Sequence, residues 1–173
     1  MNTPTLSTLG FGAYQIGRTP ADKYASAGIP MPSDREAQQL LNGVLDCGIT
    51  LIDTAPAYGV SEERIGKFIS HRRDEYILSS KVGECVDGTF DFSIDGMTAS
   101  VEQSLITLNT DYLDYLLIHA PPDDLSVLTE SDAVEFMCDA KQKGLAAHIG
   151  FSGKTVEAQM KALQWADVMM IEY

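Results

Sequence analysis

The chain has 173 residues, 45% of them hydrophobic, which is enough to bury one globular core and excludes an intrinsically disordered segment. Twenty-five acidic residues against twelve basic ones leave a formal net charge of -13, which repels phosphate backbones and anionic membrane surfaces and argues against a nucleic-acid partner. No apolar run approaches the ~18 residues that span a bilayer, and "MNTPTLSTLG" lacks the basic and then apolar regions of a secretory signal, so a cytoplasmic protein with no membrane role is expected.

The first element in chain order is "GFGAYQIG". Its glycines at 10, 12 and 17 do not form G-x-G-x-x-G and no capped helix starts directly behind them, so a Rossmann fingerprint is set aside in favour of glycines that shape a strand end. In "SDREAQQLLNGVLDCG", Leu40, Leu41, Val44 and Leu45 share a helical face, Ser33 or Asp34 can cap the start, and Gly48 suits the C′ position.

Strand "TLIDTA" follows, then helix "SEERIGKFISHRR" with Ser61 as its expected N-cap and Ile65, Phe68 and Ile69 as its inward stripe. On that helix Glu62, Glu63, Arg64 and Lys67 read as a solvated face with one i,i+4 pair, Glu63 to Lys67. The alternation continues with strand "YILSSKVG", helix "MTASVEQSLITL", strand "YLDYLLIH", helix "ESDAVEFMCDAKQKG", strand "AAHIGFSG", helix "TVEAQMKALQWA" and strand "DVMMIEY".

Near-continuous apolar strands between capped helices indicate parallel βαβ units covered on both faces, hence an α/β fold. The three cysteines, Cys47, Cys85 and Cys138, have neither CxxC nor CxxH spacing and read as buried free thiols rather than as a disulfide framework or zinc site. The loop "DGTFDFSID" lacks the closing glutamate of a calcium loop, so no metal is expected. His71 reads as a surface residue, His148 and Trp165 as packing residues.

Polar residues recur at the strand ends. Asp53 lies near the end of its strand, Tyr58 in the loop behind it, Lys81 near the end of "YILSSKV", and His119 at the end of "YLDYLLIH". Each alone also has an ordinary structural role, as turn residue, snorkelling surface amine or core histidine. In a parallel barrel, however, all strand C-termini open on one face, and active sites are built there.

The four together are chemically coherent. A phenol with a pKa of about 10 is a weak acid near neutrality; an adjacent ammonium stabilises the phenolate and lowers that pKa, and a carboxylate keeps the ammonium charged. A neutral imidazole donates one N–H to a carbonyl oxygen. Such a set gives a proton to a carbonyl oxygen or takes one from an alcohol.

These segments resemble the aldo-keto reductase family over essentially the whole chain. "GFGAYQIG" is similar to the family's first barrel strand, "LDCGITLIDTAPAYGVSEERIGKFI" to the signature around the catalytic aspartate and tyrosine, and "SSKVG" to the lysine strand. "SLITLNTDYLDYLLIHAPP" resembles the stretch that ends in the catalytic histidine, and "GLAAHIGFSG" the following cofactor-facing strand.

The resemblance implies a (β/α)8 TIM-barrel fold and reversible hydride transfer between NADPH, or NAD(P)H more broadly, and an aldehyde, ketone or sugar carbonyl. It assigns Tyr58 as general acid, Lys81 as the group that lowers its pKa, Asp53 as the carboxylate paired with that lysine, and His119 as the carbonyl-orienting ring. Ser152, Gly153 and Asp53 fall at cofactor-contacting positions.

Departures from the family pattern are Gly153 where many members carry asparagine, Met170 near a common glutamine, and Ala120 where many place a tryptophan, which implies a roomier pocket. "DFSIDGMTASVEQSL" resembles the bacterial sugar dehydrogenases of the family, which points to an aldose substrate.

A (β/α)8 barrel needs roughly 250 residues. Residues 1–173 are therefore expected to form a single partial barrel domain of about six parallel strands, without the last two strands, which in the family carry an aromatic group over the nicotinamide and the basic groups around the 2′-phosphate. Two readings follow: a C-terminally truncated reductase whose activity belongs to the complete barrel, or a non-catalytic partial barrel that forms homo-oligomers through its open edges.

Overall fold

The computed structural model describes residues 4–18 and 30–172. They form a single six-stranded parallel sheet: β1 (Gly10–Gly12), β2 (Leu51–Asp53), β3 (Ile77–Val82), β4 (Leu113–His119), β5 (Ala146–Ser152) and β6 (Val168–Met170). Spatial order equals chain order, and the sheet curves as a half-barrel with helices outside. The expected α/β partial barrel is therefore observed; Tyr173, the last residue of the expected sixth strand, lies outside the described residues.

Six α-helices join the strands: α1 (Asp34–Asp46), α2 (Ser61–Ile69), α3 (Ile94–Leu108), α4 (Asp124–Glu130), α5 (Ala133–Gln142) and α6 (Val156–Ala162). Ser33 caps α1 in a full capping box with Glu36, satisfying two otherwise orphan backbone donors. Gly48 and Gly144 close their helices at φ of 80° and 76°, as the C′ reading requires.

The core lies between the sheet and the helices and joins Ile52, Leu78, Leu116, Ile118 and Phe151 to Leu41, Ile65, Met97, Leu108 and Met137. All six β3 residues are buried, as a strand covered on both faces must be.

Several expectations from sequence are corrected. Leu40 is 44% exposed, because the inward stripe of α1 runs through Ala37, Leu41, Val44 and Leu45. Cys47 and Cys138 are exposed and Cys85 is half-buried, since the first caps a helix and the second lies outward on α5.

His148 is exposed and stacks edge-on against Tyr115 at 5.7 Å, so it is a surface rather than a packing residue. Helix α4 was not anticipated: seven residues are too few to show a 3.6-residue period against "PPDD". Helix α3 starts at Ile94, three residues before the expected "MTAS", because Ser93 caps it by accepting from Gly96 N–H.

Candidate active site

Strand β2 ends at Asp53, β3 carries Lys81 one residue before its end, and β4 ends at His119. Register aligns Asp53 with Ser79 and Val82 with Ile118, so these side chains are delivered to one mouth. After β2, a short 3-10 turn at Pro56–Tyr58 carries the tyrosine over them.

The Lys81 ammonium is nearly sealed from water. It donates to Asp53 Oδ2 at 2.7 Å and to the Thr54 carbonyl at 2.9 Å, and Ser79 Oγ donates to Asp53 Oδ1 at 2.9 Å. Lys81 lies beneath the Tyr58 ring, 4.9 Å from its centroid. The His119 ring meets Tyr58 edge-on at 5.8 Å, and Tyr14, from the turn after β1, meets it edge-on at 5.2 Å. All four residues singled out in the sequence thus meet around one phenol.

The phenol's acidity is balanced differently from expectation. Burial pushes the Tyr58 pKa up and is the largest influence; Lys81 pulls it down as the sequence suggested, while Asp53 and Glu84 push it up again. The net direction is upward, because the low-dielectric walls penalise the phenolate more than one ammonium, itself paired to a carboxylate, can repay.

Two local features hold Tyr58. Gly17 approaches so closely that a Cβ there would lie 2.1 Å from the Tyr58 carbonyl oxygen, and the Gly17 carbonyl accepts from Val60 N–H at 3.0 Å. Ser61 is the first residue of α2 instead of its cap: its hydroxyl turns inward, donating to the Ala13 carbonyl at 3.0 Å and meeting Thr54 Oγ1 at 2.9 Å.

The α2 charges are likewise not a solvated face. Glu62 is buried and accepts from Ser80 Oγ at 2.6 Å and Ser104 Oγ at 3.1 Å; Arg64 is buried and donates to the Ile16 carbonyl at 2.6 Å and to Asp34. Lys67 pairs with Asp34 at 2.8 Å rather than with Glu63. The i,i+4 spacing was a poor guide because α2 is packed between α1 and α3 and both neighbours supply partners.

A cleft of about 720 Å³ opens at the mouth, lined among others by Tyr58, Glu84, His119, Ser152 and Met170. Ser152 aligns with His119 across β4 and β5, and its hydroxyl has no hydrogen-bond partner among the described residues. Gly153 also borders the cleft, but a Cβ there would strike the Phe151 ring at 2.0 Å, so the asparagine common at this position does not fit without moving a core aromatic. Ala120 leaves the wall beside His119 open.

Sequence reasoning missed the residues that hold the loop after β5. Asp124, buried at the start of α4, accepts from the backbone N–H of Lys154 at 2.6 Å and of Thr155 at 2.8 Å, and from the Thr155 hydroxyl at 2.8 Å. Gln159 donates to the carbonyls of Gly153 at 2.8 Å and Met170 at 3.2 Å, tying that loop to β6. Tyr14 and Glu84 were also passed over, although both follow strand C-termini, the signal that located the other four.

Parallel strands that present an acid, an ammonium, a phenol and an imidazole at their C-terminal mouth define a β/α-barrel protein of the kind that works at that face. The chain belongs to the aldo/keto reductase family, whose model matches residues 8–173.

The chain is 29% identical over 195 residues to D-threo-aldose 1-dehydrogenase of a Pseudomonas species, an alignment covering 96% of this chain and 56% of that enzyme. Among solved structures it is similar to a Pseudomonas aeruginosa protein described as an aldo-keto reductase, 42% identical, with a TM-score of 0.88 over 97% of this chain and 64% of that one. It is also similar to an aldo-keto reductase from Klebsiella pneumoniae in complex with NADPH, 28% identical, with a TM-score of 0.71 over 96% of this chain and 55% of that one. The chain therefore spans about half the length of the curated relatives it matches.

Proposed function

We propose that this chain carries the proton-handling part of an oxidoreductase site that moves a hydride between NADP(H) and an aldehyde, ketone or sugar carbonyl, with Tyr58 as the proton donor. The observation that carries this reading is the phenol enclosed between the Lys81–Asp53 pair and the His119 ring at the mouth of the sheet. A buried phenol with a raised pKa keeps its proton through neutrality, which suits giving it to a carbonyl oxygen as negative charge develops there.

The residues present fit a nicotinamide cofactor in part. The Ser152 hydroxyl at the end of β5, unpartnered among the described residues, offers a donor and acceptor for a carboxamide, and the cleft is of the size that takes a nicotinamide ring together with a small substrate. When bound, the cofactor supplies the hydride. The chain's own work is to bind, exclude water, align the carbonyl through His119, and hold and release the proton at the Tyr58 oxygen, with Lys81 stabilising the phenolate left behind.

The pocket's rim favours an aldose or other neutral polyhydroxy carbonyl: Glu84, Asp87 and Glu172 border it against Lys154, a balance that repels carboxylates. The aldose dehydrogenase among the relatives supports the same class. Exposed free thiols at Cys47 and Cys138 suit a reducing, cytoplasmic setting. Among the described residues no helix is long and apolar enough to cross a membrane.

The test is NADPH oxidation by the complete protein with a panel of aldoses and small aldehydes. Tyr58→Phe is expected to lose on the order of 100-fold or more in kcat; an unchanged rate would sink the proposal.

A further inference from the structure

Strand pairing, not proximity in sequence, brings a second carboxylate into the site. Val82, the last residue of β3, is in register with Ile118, so Glu84 two residues on lies beside His119 at the end of β4. His119 Nδ1 is 3.1 Å from Glu84 Oε2, and each side chain is only 17% exposed. A carboxylate this close to an imidazole, with little water to screen it, favours the charged ring.

Lys81, which lies over the Tyr58 ring, is paired with Asp53 at 2.7 Å. Tyr58 and Tyr14 face the pocket as phenols, while Cys85 and Asp87 from the loop after β3, Lys154 from the loop after β5 and Glu172 beyond β6 complete its titratable lining among the described residues. Carboxylates outnumber the one lining ammonium. The Glu84 charge also reaches Tyr58, whose phenol it pushes up.

We propose that Glu84 is a positioning residue that keeps His119 an imidazolium through neutral pH. A neutral imidazole has a single N–H, and if that proton faces Glu84 the other nitrogen meets a carbonyl oxygen with a lone pair. An imidazolium meets the Glu84 charge on its Nδ1 side through the close ion-pair contact and carries an N–H on the other nitrogen to donate. The charge state stands on the geometry alone; its use toward a carbonyl rests on the function proposed above. The Tyr58 phenol then sits between two cation–carboxylate pairs, Lys81 with Asp53 and His119 with Glu84.

The experiment is an NMR titration of the imidazoles in the 173-residue chain, wild type against Glu84→Gln and Glu84→Asp, with His71 and His148 as internal references. His119 is expected to titrate above the ordinary value of about 6.5 in the wild type. It should fall by about one pH unit or more in Glu84→Gln and lie between the two in Glu84→Asp, while His71 and His148 stay put. A wild-type midpoint at or below the ordinary value, or one that Glu84→Gln leaves unmoved, overturns the proposal; the first criterion holds even if a variant fails to fold.

In the complete protein, carbonyl reduction is expected to decline as pH rises through the His119 midpoint, and Glu84→Gln to move that decline to lower pH by the same shift. A Tyr58→Phe variant with full activity would end the reductase reading and leave the titration result standing, so the two failures are distinguishable.

Discussion

Lys81 is 2% exposed; its ammonium donates to Asp53 and the Thr54 carbonyl and lies against the Tyr58 ring, and Asp53 is the carboxylate paired with it. Removing the negative partner leaves a buried cation beside a carbonyl and a phenol but no counter-charge, so Asp53→Asn is expected to cost about 3 kcal/mol in urea unfolding. Lys81→Met in the Asp53→Asn background should recover much of that loss, because the uncompensated charge disappears. Recovery would show that charge burial, and not lost packing, is what Asp53 relieves. Gly17 makes a different residue-scale demand, for space. Gly17→Ala places a methyl against the Tyr58 carbonyl and Ser61 N–H, and a loss of about 1–3 kcal/mol is expected; an unchanged unfolding midpoint would mean that this loop yields easily. Neither requirement follows from local sequence: Asp53 and Lys81 are 28 positions apart, a pairing that only the family resemblance implied, and Gly17 is remote in sequence from the Tyr58 carbonyl and Ser61 N–H that it crowds, separations that the fold closes.

At the scale of elements, the loop between β5 and α6 is held from outside itself. Asp124 takes hydrogen bonds from two of its backbone amides and the Thr155 hydroxyl. Burial raises the Asp124 pKa, but those donors outweigh it and the net direction is downward, so the group is a carboxylate at neutrality. Asp124→Ala is expected to cost about 2 kcal/mol and to speed hydrogen exchange at the Lys154 and Thr155 amides first; protection that stays intact there would show that Gln159 alone secures the loop. Helices with a cap and a long apolar period, such as α1, were legible in the sequence. Helix α4 was not, because seven residues carry too little periodicity, and the polar inner face of α2 was misread because its partners come from other elements: those of Glu62 from β3 and α3, those of Arg64 from α1 and the turn after β1.

For the whole molecule, the titrating groups pull stability in opposite directions with pH. The Lys67 and Arg64 side chains beside Asp34 hold its carboxyl below the usual range; Asp167 also lies low, where burial is outweighed by Lys141 and the Ile149 N–H. With Asp124, these groups stabilise the fold above the ordinary carboxylate pKa of about 4, and that contribution is lost as pH falls through their lower native values. Glu62 does the reverse: burial raises its pKa despite the Ser80 and Ser104 hydroxyls, so its contribution is full below the ordinary value and is lost as pH rises through the raised one. Glu62→Gln is therefore expected to match the wild type in urea unfolding near pH 4 and to exceed it increasingly toward pH 7. A gap that does not widen with pH would show that Glu62 is held ionised by its two hydroxyl partners.

The sequence by itself determined the alternation of buried strands and capped helices, hence the parallel α/β sheet, and it determined which strand ends carry ionisable groups. Both are local properties, since apolar runs, caps and a residue's place within its own strand require no distant partner. Only the tertiary structure decided the surroundings of those groups: that the Lys81 end of the Lys81–Asp53 pair is sealed from water, that burial outweighs Lys81 at the Tyr58 phenol, that Glu84 stands against His119, and that Gly153 lies under the Phe151 ring. Desolvation and charge pairing depend on which surfaces come together across the sheet, and strand register, which sets those meetings, is a property of pairs of strands and not of any one of them.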